Sequence, residues 1–103
     1  METRRINYKA ICKESLDNIF PILQRLLPNG KVIKNEYVAL NPTRIDHKLG
    51  SFRINLQTGV WADFATGDKG GDLISLTAYI CSLSQAEAAK NLGSMLSMEV
   101  YHA

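Results

Sequence analysis

Cysteine is scarce in this 103-residue chain: there are only Cys12 and Cys81. Neither has a second cysteine two residues away or a nearby histidine to complete a tetrahedral metal site. Both read as core residues, which suits a reducing cytosol. Long apolar runs are missing too. No segment reaches the ~20 apolar residues of a membrane helix, and the mixture after Arg4 and Arg5 lacks the apolar stretch of a secretory signal. The expectation is a cytoplasmic protein. Nor does one sign of charge dominate, since 12 Lys and Arg face 10 Asp and Glu for a net charge of +2. Such a balance allows binding to phosphate without demanding it. Gly67 to Asp72 is glycine-rich, yet its lysine and hydroxyl residues do not complete a Walker loop. No nucleophile stands beside a base, so enzymatic activity is not expected.

What is present suits a globular domain: 46% of residues are hydrophobic and 21% charged. The length fits one domain over residues 1–103. Leu16, Ile19, Phe20, Leu23, Leu26 and Leu27 recur at helical spacing from Ser15 to Leu27. Pro21 predicts a kink or break near residues 17–21, and Pro28-Asn29-Gly30 ends the element. Lys31 to Leu40 reads as two short strands or one bent strand. Residues 43–50 form a charged loop.

Phe52, Ile54 and Leu56 alternate with Arg53 and Asn55, the pattern of a half-buried strand. A turn at Gln57 to Gly59 returns the chain through Val60, Ala62 and Phe64 as a hairpin. That alternation places Trp61 and Asp63 on the other face, which reads as the outer one shared with Arg53. Asp72 is positioned to cap a helix that is apolar nearly all round and therefore central. Ser84 to Glu87 forms a capping box for a last helix. The expected class is α+β: a helical N-terminal segment over 1–28, a small antiparallel sheet over 31–66 and a helical pair over 72–98.

The spacing inside this sheet is distinctive. Asn41-Pro-Thr-Arg44 and Asp63-Phe-Ala-Thr66 stand where two ligand pairs of a zinc ribbon would stand, but Asn41, Arg44 and Thr66 cannot replace thiolate or imidazole. Gly50-Ser51-Phe52 and Gly70-Gly71-Asp72 follow in matching order. From Leu27 to Leu96 the chain resembles the zinc-binding domain at the front of bacterial DNA primases. The stretch Gly59 to Asp72 is similar to the primase-related N-terminal modules of plasmid and phage replication proteins, which also lack the cysteines. The resemblance implies a zinc-ribbon-like sheet without zinc, held by its helices, with no metal and no cofactor.

It also implies a non-catalytic module that engages single-stranded DNA in a mobile-element replication protein, with primase or helicase as further partners. The residues expected to bind are Arg44, Lys48, Arg53, Trp61 and Lys69, with Trp61 stacking on a base and the cations meeting phosphates. A plainer alternative packs Trp61 under a helix and leaves the cations solvated. Asp46, Asp63, Asp68 and Asp72 read as a solvated acidic surface, with His47 in the charged loop and His102 near the end. A second functional reading is a protein-interaction module or small inhibitor docking on a replication or defence protein through Trp61, Phe64 and the 43–50 loop.

Overall fold

The computed structural model describes residues 4–102. Helix α1 (Tyr8–Asp17) starts well before Ser15, where apolar spacing placed the first helix. Its cap is Asn7, whose side-chain oxygen accepts the Ala10 N–H. Only Ile11 and Ser15 of α1 are buried, so its first turns carry little apolar signal. The chain breaks at Asn18 and resumes as α2 (Ile19–Leu26). Pro21 stands at the third position of α2, where a missing N–H leaves no intrahelical bond unmade. The break thus falls inside the expected window.

Five strands follow: β1 (Lys31–Ile33), β2 (Glu36–Ala39), β3 (Phe52–Asn55), β4 (Trp61–Asp63) and β5 (Lys69–Gly70). They form one antiparallel sheet in chain order, and the class is α+β. Lys31 to Leu40 resolves into two strands joined by a turn at Lys34 and Asn35. Gly59 has a φ of +78° in the β3–β4 turn, as a turn that requires a left-handed residue demands. Strand β5 was not foreseen. Lys69 and Gly70 have little strand propensity, and their pairing with Ala62 and Trp61 supplies the conformation.

Helix α3 (Leu73–Cys81) begins at a capping box formed by Asp72 and Ser75, and α4 (Gln85–Met95) at one formed by Ser84 and Glu87. Leu73, Ile74, Leu76, Thr77 and Ala78 of α3 are buried, the consequence of an apolar helix packed against α1, α2 and α4. Ile11, Ile22, Leu23 and Leu27 from the N-terminal segment join Tyr37, Phe52, Ile54 and Trp61 from the sheet in one core. Each such side chain contributes about 1.5–3 kcal/mol on full burial. The helices therefore cover one sheet face, and the other is open at its ends, at Lys31, Lys69 and Phe64, while Val38 near its middle is fully buried.

Cys12 packs at the edge of this core, where burial and then the adjacent Asp72 carboxylate push its thiol up to about 11. Cys81, expected in the core, is instead exposed. Among the described residues no helix is long and apolar enough to cross a membrane.

Candidate nucleic-acid interface

The register decides which side chains share the open face. Lys31 stands opposite Val38, Val38 opposite Arg53, Arg53 opposite Ala62 and Ala62 opposite Lys69. One row therefore crosses all five strands, with Lys31 and Lys69 at its ends, Arg53 in the middle and a fully buried Val38 between Lys31 and Arg53. At about 4.8 Å per strand the row spans roughly 19 Å. Lys31 and Lys69 are exposed. Arg53 is half-buried, donating Nε–H to the Gly50 carbonyl at 2.7 Å and Nη1–H to Glu36 at 3.0 Å.

The Phe64 N–H donates to the Ser51 carbonyl at 2.8 Å, which continues the β3–β4 register by one residue. Alternation from Ala62 thus puts Phe64 on this same face, and it is 73% exposed.

Trp61 does not belong here. The sequence pattern distinguishes two faces of β4, but the expected assignment is inverted: Trp61 pairs with Ile54, whose side chain is in the core. Trp61 is 3% exposed. Its ring lies edge-on to Phe52 and tilted over Tyr79 at 4.7 Å between centroids, and its Nε1–H donates to the Ser75 hydroxyl at 3.0 Å. A tryptophan so enclosed has no face left for a base. Phe64, on the face read from the sequence as inner, takes the outer place.

Asp63 turns inward with Trp61, and its carboxylate is fully buried. Burial of a charge requires partners, and these come from the other turn of the ribbon-like frame. Arg44 Nε donates to Asp63 Oδ2 at 2.8 Å and Arg44 Nη2 to Oδ1 at 3.3 Å. The Asn41 amide donates to the same Oδ2 at 2.8 Å and to the Tyr79 hydroxyl at 2.8 Å. Tyr79 in turn donates to Asp68 at 2.7 Å. Arg44 also holds Asp46 at 3.4 Å and the Ser51 hydroxyl at 2.9 Å.

Each turn is closed by its own side chain as well. Asn41 Oδ1 accepts the Thr43 N–H and Asp63 Oδ1 the Ala65 N–H, both at 2.9 Å, the asparagine and aspartate turns those residues favour. Among the described residues no buried side-chain nitrogen or oxygen lacks a partner. The Asp63 carboxyl is held well below the usual carboxylate range, first by the Arg44 hydrogen bond and next by the Asn41 amide and the Ala65 N–H, against the opposing effect of burial. Arg44 is correspondingly raised.

Of the four positions at ligand places in the zinc-ribbon frame, Asn41, Arg44 and Asp63 thus meet directly. Thr66 joins only through backbone, its N–H donating to the Asp63 carbonyl at 3.2 Å, while its hydroxyl accepts the Asp68 N–H. Among the described residues no three His, Cys, Asp or Glu side chains are grouped to hold a metal ion.

Two expectations need correction. Asp46 and Asp63 are not a solvated acidic surface but acceptors in a buried network, because a guanidinium stands between them. Arg44, expected to meet phosphate, is committed to those carboxylates and only 27% exposed in its side chain. Lys48 is exposed in the 43–50 loop, and so is Ile45, at 81%. No family model matches the chain, and no curated protein matches it significantly.

Proposed function

We propose that this chain is a non-catalytic binding module whose open sheet face engages single-stranded nucleic acid. The observation that carries the reading is the cross-strand row Lys31, Arg53, Lys69 with Phe64 beside it. Cations spaced along one face can meet separate phosphates of a strand. An exposed aromatic ring offers a stacking partner that only an unpaired base can use fully. Glu36 neutralises Arg53 in the free protein, so Lys31, Lys69 and Lys48 supply the steering charge. In the context implied by the primase resemblance, such a module would present template in a plasmid or phage replication protein.

Exposed Ile45 and Phe64 favour a second reading, docking on a replication or defence protein, since large apolar side chains open to solvent anchor protein interfaces. Salt separates the two. Anisotropy of a labelled oligothymidylate should rise with protein and fall steeply in affinity as salt increases. Phe64→Ala should weaken binding by about 1–3 kcal/mol, and Lys69→Ala should lower the salt slope by about one. An absence of binding at low salt would leave the docking reading in its place.

A further inference from the structure

We propose that the Arg44–Asp63 pair is a positioning latch for the open face and that Arg44 touches no phosphate. The inference rests on the nucleic-acid reading above and concerns how that face is held in shape. The pair joins two segments that are 19 residues apart, one carrying Phe64 on that face and the other touching Arg53 of the row through the Gly50 carbonyl. Asp63 immediately precedes Phe64, so anchoring its carboxylate fixes the backbone from which the aromatic ring projects. Arg44 stands in the first turn of the 43–50 loop, which carries Lys48.

That loop is clamped at both ends. At its start Arg44 holds Asp46 and Ser51, and Asp46 accepts the Asn41 N–H at 2.8 Å. At its end the Gly50 carbonyl accepts from Arg53. Between the clamps Lys48 remains exposed. Ties at both ends limit where the loop can carry its lysine, and ordering in advance lowers the entropy lost when a ligand binds. An arginine with two carboxylates on its guanidinium has little free charge to offer a phosphate, and withdrawing it would leave Asp63 buried and unpaired.

The test compares Arg44→Gln, Asp63→Asn and the double variant with wild type. Readouts are amide hydrogen exchange over residues 41–50 and the affinity and salt slope for a labelled oligothymidylate. Each single variant should speed exchange in the loop and lower affinity several-fold with the slope unchanged, because the contacts are misplaced rather than removed. The double variant, with a neutral Gln–Asn pair, should fall short of the product of the two losses.

Arg44→Gln lowering the slope by about one, with loop exchange unaltered, would make Arg44 a phosphate contact and overturn the latch. Single variants that bind and exchange like wild type would overturn it equally. If wild type binds no oligonucleotide, the nucleic-acid reading falls and this role of the latch falls with it, whereas loss of the latch alone leaves wild-type binding intact.

Discussion

Asp63→Asn removes one charge from the buried network while keeping nearly the same shape. In the native chain the carboxylate accepts from Arg44 Nε and the Asn41 amide at 2.8 Å, from the Ala65 N–H at 2.9 Å and from Arg44 Nη2 at 3.3 Å. An asparagine turns an NH2 group toward one of these donors and leaves it unpaired. Breaking a buried pair by removing one partner costs roughly 3–5 kcal/mol. Here Arg44 retains Asp46 at 3.4 Å and part of its solvent contact, so a loss of about 2–3 kcal/mol is expected.

In a chain of this length that corresponds to a fall in Tm of roughly 10–20 °C. Urea unfolding followed by Trp61 fluorescence measures it, with the m-value unchanged. The pH dependence has a definite sign. Because the Asp63 carboxyl is held below its ordinary value of 3.8, its contribution is fully present above that value and is lost as pH falls through the lower native one. Wild type and variant should therefore differ most near neutrality and converge in strong acid. A difference below about 0.5 kcal/mol at pH 7, the size of an ordinary surface change, would refute the reasoning. So would a gap that stays constant into acid.

Gly70→Ala should destabilise the chain by about 1–3 kcal/mol, because an added Cβ would collide with Trp61 Nε1 and Ser75 Oγ, the two atoms that bond at the β4–α3 junction. Thermal unfolding of the variant checks this, and an unchanged Tm would count against the Trp61 placement. With an amide, a guanidinium, a carboxylate already bound to that guanidinium and a hydroxyl at the ligand places, the purified chain should carry no stoichiometric zinc, and EDTA should leave its Tm unchanged. Elemental analysis giving one zinc per chain would contradict that.

Local features were legible in the residues. Asp72 and Ser84 announced their helices because a capping side chain acts within three residues, and Gly59 marked its turn through its backbone angle. The two faces of β4 were legible as faces, since alternation separates them, but not as inner and outer. Val60, Ala62 and Phe64 are together more apolar than Trp61 with Asp63, and only the pairing of Trp61 with Ile54 decides which side meets the helices. Asp63 looked like a surface acid because what permits its burial is Arg44, distant in sequence. The ribbon-like spacing marks these positions as a group without specifying how they bond. Strand β5 and the first turns of α1 escaped for one reason: their conformation comes from neighbours and a cap, while Lys69-Gly70 and Tyr8-Lys9-Ala10 carry no periodic apolar signal.

The proposed binding face is most directly tested by amide chemical-shift mapping with an oligothymidylate at low salt. Shifts should concentrate at Lys31, Arg53, Ala62, Phe64 and Lys69 and around Lys48, leaving α3 and α4 unmoved. Perturbations confined to the helices, or none at millimolar oligonucleotide, where even nonspecific binding at about 10⁻⁴ M would saturate, would contradict the assignment of the open sheet face.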